Sequence, residues 1–138
     1  MKRIKITFGL IAIFLVSAAF TTQDDGLKES IERGKGEYQG VCLACHMNNG
    51  QGIPGVFPPL AESDYLMEDT DRAIKSLIEG LQGKIVVNGT EYNQVMPASG
   101  LDDQAIADVL NYVMNSWGND AEKMLTKKKV AEVRASLK

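Results

Sequence analysis

The sequence predicts an all-α domain with long loops and one small β-hairpin, built around something other than its own side chains. Three observations carry this expectation. Amphipathic helical stretches recur between Leu27 and Leu137. The segment from Cys42 to Leu60 is so rich in Gly, Asn and Pro that neither helix nor strand can run far in it. Asn88-Gly89 sits between Ile85-Val86-Val87 and Thr90-Glu91-Tyr92, the strongest short-range hairpin signal. A chain of 138 residues, 44% apolar and 24% charged, has room for one ordinary globular domain. With such loops its core is modest, and a buried prosthetic group would fill the centre.

Taken in order, Lys2, Arg3 and Lys5 precede an apolar run from Ile6 to Val16, and Ser17-Ala18-Ala19 supplies small residues for a signal peptidase. Residues 1–19 therefore read as a secretory signal peptide. Left uncleaved they would form an anchor, but Ile6 to Phe20 falls short of the roughly 20 apolar residues that span a bilayer. No cysteine lies near the cleavage point to carry a lipid. Residues 20–26 read as a flexible polar leader. Leu27, Ile31, Gly34 and Tyr38 recur at helical spacing up to about Val41. Thr70 to Leu81 reads as a short helix with Ala73, Ile74, Leu77 and Ile78 on one face and Gly83 beyond its end. Asp102 is placed to cap a helix running to Trp117, whose Ile106, Val109, Leu110, Val113, Met114 and Trp117 form one stripe. Gly118 would end it. Thr126 opens a last helix with Val130, Val133 and Leu137 as its apolar edge.

Charge is uneven along the chain. Residues 20–121 hold 6 basic and 16 acidic side chains, a net of −10, while residues 122–138 hold 6 and 2, a net of +4. The acidic body excludes nucleic acid, whose binding rests on Lys and Arg neutralising phosphates. It suits a partner with a basic docking face, although a merely solvated acidic surface explains it equally. The basic tail either contacts a partner or an anionic membrane surface, or packs back on its own acidic domain; the second reading is preferred.

The chemistry is concentrated in Cys42-Leu43-Ala44-Cys45-His46, which holds the two cysteines and the single histidine of the chain. Cys-x-x-Cys-His is the attachment signature of c-type haem. Two cysteines three apart at a helix end lie on one side, so each can form a thioether with a vinyl group of one porphyrin. The adjacent histidine is then carried to the ring centre, where it can ligate iron. A structural zinc site would need a fourth ligand. A thioredoxin-like pair would need a strand leading into the motif, and a Cys42–Cys45 disulfide would leave His46 unexplained.

With no second histidine, methionine is the natural choice for the sixth ligand that a low-spin carrier needs. Met47 is too close in sequence to cross the ring, and Met114 sits on a core stripe. Met67 and Met124 are further candidates. Met96 is the best placed, in a loop fifty residues after His46 and stiffened by Pro97, with Met67 as the main alternative. The Phe57-Pro58-Pro59-Leu60 stretch is positioned to return a carbonyl to the second nitrogen of His46. Tyr92, Tyr65 and Trp117 could bond the haem propionates, with ordinary core packing as the competing role for each.

With these motifs the chain resembles class I cytochromes c from about Gly34 to Trp117. The resemblance implies that family's fold, 3–5 helices wrapped around one covalently bound haem c, with a hairpin near residues 85–92. It implies a cytochrome domain over residues 27–118 and leaves 119–138 as a basic helical tail. Gly34-x-x-x-Tyr38 and Val109-x-x-Tyr112 look like the family's crossing of terminal helices. Pro58 falls where members place the proline whose carbonyl accepts from the ligating histidine. Gly55 to Leu66 and Asn88 to Pro97 are similar to cytochrome domains fused to copper nitrite reductases and to cytochrome subunits of quinoprotein dehydrogenases. Glu62 and Ala98 depart from those patterns without touching a ligand position.

The expected function is electron transfer by a periplasmic carrier with no catalytic residue of its own, shuttling between a donor enzyme or quinol complex and an acceptor oxidase or reductase. Redox partner proteins, weak transient complexes of a monomer, and membrane contact only through an uncleaved signal complete the expectation. A peroxidase-type catalyst or a gas or redox sensor would need an open or labile iron position.

Overall fold

The computed structural model describes residues 26–121 and 123–138; the expected signal peptide and all of the leader but Gly26 lie outside the described residues. The chain is helical from residue 26 to residue 46, designated α1. Within α1 the α-helical path of residues 26–37 loosens into a π turn at Tyr38–Cys42 and tightens again over Leu43–His46. Then follow α2 (Asp64–Glu68), α3 (Thr70–Glu79), β1 (Ile85–Val87), β2 (Thr90–Tyr92), α4 (Asp103–Val113) and α5 (Lys127–Ser136). The two strands pair antiparallel, Ile85 with Tyr92 and Val87 with Thr90, through Asn88 and Gly89 at positive φ. That is the backbone an Asn-Gly hairpin turn requires.

Side-chain caps set the helix starts. Ser63, Asp69, Asp102 and Thr126 each accept from a backbone N–H in the first turn of α2, α3, α4 and α5. Helix α2 is hidden in the sequence pattern, because five residues are too few to show a period, though Ser63-Asp64 is an N-terminal signal. Two expected ends move inward. Helix α3 stops at Glu79, since Gly80 already has φ 81°. Helix α4 stops at Val113 rather than Trp117. Its last carbonyls are taken by side chains beyond it: Ser116 Oγ donates to Tyr112 O at 2.6 Å, and Asn119 Nδ2 to Val113 O at 2.8 Å.

The core lies where α1, α3, α4 and α5 meet around Tyr38, Ile74, Ile106, Val109 and Val130. Helices α1 and α4 cross at Gly34, where a Cβ atom would overlap the Asp108 carbonyl. A buried polar network locks the crossing. Ser30 Oγ donates to Asp108 at 2.6 Å, Arg33 donates to both Asp108 oxygens at 2.7 and 2.9 Å, and Gln104 Nε2 adds a third donor at 3.0 Å. Burial alone would raise the Asp108 pKa, but these donors, Arg33 first, hold the carboxyl below the usual carboxylate range. Asn111 extends the network, donating to Ser30 Oγ and exchanging two 2.8 Å bonds with the backbone of Leu125.

The C-terminal basic segment packs on the domain. Val130 and Val133 of α5 are buried, Lys129 Nζ lies 2.6 Å from Asp71, and Arg134 Nε lies 2.6 Å from Asp103. Among the described residues no helix is long and apolar enough to cross a membrane.

Two neighbouring glycines of α1 test the crossing. Gly34→Ala should destabilise by about 3 kcal/mol or more, because backbone on both sides must move. Gly36→Ala, with nothing within 4 Å of its Cβ, should stabilise by roughly 0.5–1 kcal/mol through helix propensity. Denaturant midpoints of the two variants check this opposition of sign.

Candidate cofactor site

The sequence delivers Cys42, Cys45 and His46 on the last turns of α1. The π turn inserts one residue per turn before the motif, with Leu43 N donating to Tyr38 O. Beyond the motif, Met47 takes φ 64° and turns the chain away, and Tyr38 Oη donates to Met47 O at 2.6 Å to hold that turn. The following loop folds back on itself. Leu60 N and Ala61 N both donate to Gly50 O, and Ile53 pairs with Phe57. A Cβ at Gly52 would strike the Phe57 and Pro58 carbonyls. The result brings Pro58 O to 3.0 Å from His46 Nδ1.

His46 is buried at 8% exposure, and burial lowers its pKa against the opposing pull of the Pro58 carbonyl. Its imidazole is therefore held neutral, with Nδ1–H donated to Pro58 and Nε2 left as a lone-pair donor, the form that ligates a metal. Cys42 and Cys45 are free, partly buried thiols. Burial, with the charges of Glu37 and Cys45, pushes the Cys42 thiol up to about 11. That is the opposite of the depressed pKa a thiol–disulfide catalyst needs.

These residues line one slot in two connected parts. The larger part, about 700 Å³ with the solvent at its mouth, is walled by Cys42, Leu66, Leu77, Val109 and Leu110 among others, and the smaller part, about 450 Å³, by Cys45, Phe57, Tyr92 and Val95. His46, Pro58, Leu81, Ile85 and Met96 border both. Of the described methionines, Met96 alone lines the slot. Met114 is buried in the helical core and Met67 packs against it, while the Met124 sulfur approaches Gly26. Met96 is held by a two-way backbone pairing with Leu81, at 2.8 and 2.9 Å, and by Ser99, whose N–H and hydroxyl both donate to Leu77 O. Gly80 makes room for this strap, since its Cβ would lie 2.6 Å from Met96 O.

Tyr92 is buried at 6% exposure with no hydrogen bond to its hydroxyl among the described residues, and Tyr65 lines the larger part. Trp117 is in neither lining and packs against the helical core, the second of the two roles weighed for it. Its indole stacks with Tyr38 and Tyr112, at centroid distances of 5.1 and 5.3 Å, and lies against Gly50. The Leu81–Met96 pairing leaves no trace in the sequence, because an isolated bridge has no alternation to read.

A flat apolar macrocycle with two thiol-reactive vinyl groups and a metal fits this donor set. The slot has mostly apolar walls, two free thiols, one neutral imidazole and one thioether. Comparison with known proteins agrees. The sequence model of the family described as "Cytochrome c" matches residues 31–117. The chain is 39% identical over 136 residues to a cytochrome c-552 of Thermus thermophilus, covering 91% of this chain and 85% of that protein. It is 30% identical over 125 residues to the cytochrome c subunit of a quinone alcohol dehydrogenase from Gluconobacter oxydans, covering 83% of this chain but 26% of that longer protein. A gluconate 2-dehydrogenase cytochrome c subunit from Pantoea cypripedii is 32% identical over 122 residues, covering 82% of this chain and 28% of that protein. Fold and donor set define a covalent haem protein of electron transport. The chain belongs to the cytochrome c family, class I, whose cofactor is one haem c.

The strap yields a prediction that needs no spectroscopy of the cofactor. Gly80→Ala forces a positive φ on a side chain and drives it into the strap backbone, which should cost roughly 2–3 kcal/mol. Amide exchange at Met96, protected by Leu81 O, should accelerate while exchange in the α4 core keeps its rank.

Proposed function

We propose that this chain is an exported single-electron carrier whose haem is attached through Cys42 and Cys45 and ligated by His46 and Met96. The observation that carries the reading is the single slot bordered by all four residues. The haem supplies the Fe(II)/Fe(III) couple. The chain's residues do the rest. Pro58 fixes the tautomer and orientation of His46. Leu81 fixes the backbone of Met96, whose thioether, as a ligand together with His46, would favour the reduced state and raise the potential. The mostly apolar walls would keep water from the bound group. Among the described residues no Asp, Glu, Lys or Arg lines the slot beside His46, which supports a carrier over a catalyst. Tyr92, which lines the smaller part and whose hydroxyl has no partner among the described residues, is available to a propionate.

The order of charged, apolar and small residues in 1–19 supports export to the periplasm. Names of the relatives support redox proteins as partners: a donor enzyme or quinol complex on one side and an acceptor oxidase or reductase on the other, met in brief complexes of the monomer. The acidic body favours a basic docking face on such a partner.

Absorption spectra in both redox states test the assignment. Protein expressed with a haem-attachment system should keep its reduced c-type bands after acid–acetone extraction. The oxidised form should show the weak red methionine-to-iron band and bind carbon monoxide or cyanide slowly. Met96→Ala should lose that band and bind such ligands readily. Rapid ligand binding by the wild type would contradict the carrier reading, and absence of haem where a control cytochrome matures would overturn it.

A further inference from the structure

Pro58 aims the imidazole of His46, and Pro58 is itself aimed by whatever holds the ends of its loop. At the entry, Tyr38 Oη donates to Met47 O at 2.6 Å. At the exit stand three consecutive residues that follow α4. The Trp117 ring lies against Gly50, where a Cβ would fall 2.4 Å from Cε3. Gly118, at φ 92°, lies against the Glu62 side chain, whose Cγ would be 2.7 Å from a Cβ. Asn119 Nδ2 donates to Leu60 O at 2.7 Å and to Val113 O at 2.8 Å.

The carboxamide of Asn119 does more than cap a helix. Turned the other way, its oxygen would face two carbonyl oxygens, so the partners assign the nitrogen. Oδ1 is then buried without a hydrogen-bond partner among the described residues, an arrangement that carries a desolvation penalty. A cap of α4 needs one donor, to Val113 O. The second donor reaches Leu60, 59 residues earlier. Leu60 stands two residues from Pro58, and the link between them is stiff. Pro59 fixes its own φ at about −65° and confines Pro58 to extended backbone, so few torsions separate the Pro58 carbonyl from Leu60. Leu60 N and Ala61 N donate to Gly50 O at 2.7 and 3.0 Å, and Gly52 N donates to His46 O at 3.1 Å, closing the loop on the motif. Pro58, Pro59 and Leu60 all line the slot.

We propose that Asn119 is a positioning residue for His46, setting through Leu60 and the two prolines the strength of the bond from Nδ1–H to Pro58 O, and with it the reduction potential of the bound haem. This assignment rests on the ligation proposed above and deepens it. A firmly held acceptor makes the imidazole a better electron donor to its metal, which favours Fe(III). Loosening the acceptor favours Fe(II) and raises the potential. Gly118 and Asn119 lie beyond the residues 31–117 that match the family model, so this control belongs to the chain's own continuation. The competing role is a plain cap of α4, which moves stability and nothing else.

The test compares haem-loaded wild type, Asn119→Leu and Asn115→Leu. The first variant keeps volume and neutrality and removes both donors. The second is the control: Asn115 Nδ2 donates to Asn111 O at 2.8 Å, so its loss weakens the same helix end with no hydrogen bond to the loop. Asn119→Leu should raise the midpoint potential. In the reduced protein its His46 Nδ1–H and Leu60 N–H should exchange with solvent about tenfold faster, the factor for one or two lost hydrogen bonds. Asn115→Leu should lower stability and leave the potential and both exchange rates unchanged. A potential at or below wild type in Asn119→Leu, unaccelerated Nδ1–H exchange, or an equal rise in Asn115→Leu overturns the proposal. Should Asn119→Leu fail to mature, the wild type decides. Its His46 Nδ1–H and Leu60 N–H should open together, with one denaturant dependence, and an Nδ1–H that stays protected while Leu60 N–H opens overturns the assignment. The wild-type absorption spectrum on the same sample tests the ligation separately, so that with its methionine band intact a failure belongs to Asn119 alone.

Discussion

The hydrogen bond between His46 Nδ1 and the Pro58 carbonyl is the constraint on which the site depends. The chain has one imidazole, and that bond decides which nitrogen faces the slot. It exists because the loop from Met47 to Ala61 closes on itself, with Gly50 O accepting from two amides and Gly52 admitting the Phe57–Pro58 backbone at a distance no side chain would tolerate. The loop in turn hangs from the end of α1, whose direction is set where Gly34 meets Asp108 of α4. A contact between two helices therefore governs the aim of a ring nitrogen, through one π turn and a few backbone bonds. Trp117 and Tyr38 belong to this chain of support, bracing Gly50 and Met47.

The opposite side of the slot is built by other means. Met96 lies on no helix and no hairpin strand, yet its backbone is paired in both directions with Leu81, and Gly80 clears the space for that pairing. The strap is thereby tied to the end of α3, while Ser99 ties it again to Leu77. A soft thioether on a doubly tethered segment would suit the proposed carrier, because little would need to move when the oxidation state changes. The apolar core of α1, α3, α4 and α5 holds these tethers at fixed distance, and α5 adds Val130 and Val133 beneath them, its Lys129 and Arg134 meeting Asp71 and Asp103.

Much of this was legible in the sequence because its signals are local. Cys42, Cys45 and His46 announce themselves by spacing, Asn88-Gly89 by turn chemistry, Asp102 and Thr126 by capping, and the Ile106–Val113 stripe by period. What was hidden depends on residues far apart. Ser30, Asp108 and Asn111 are polar positions on amphipathic helices, where polarity ordinarily marks the solvent face. Only the close crossing at Gly34 turns them inward, and their partners lie 78 to 81 residues away. The early end of α4 follows from Ser116 and Asn119 competing for its carbonyls, against a hydrophobic pattern that continues through Met114 and Trp117.

The central claim, that His46 and Met96 hold one haem between them, is tested most directly by NMR of the reduced holoprotein labelled at the methionine methyl carbons. A methyl group fixed over a porphyrin face is moved far upfield by the ring current, out of the range of the other methionines. One such resonance is predicted, absent in Met96→Leu and retained in Met67→Leu. Methionine methyls all in their ordinary range, or an upfield signal that survives Met96→Leu, would contradict the account.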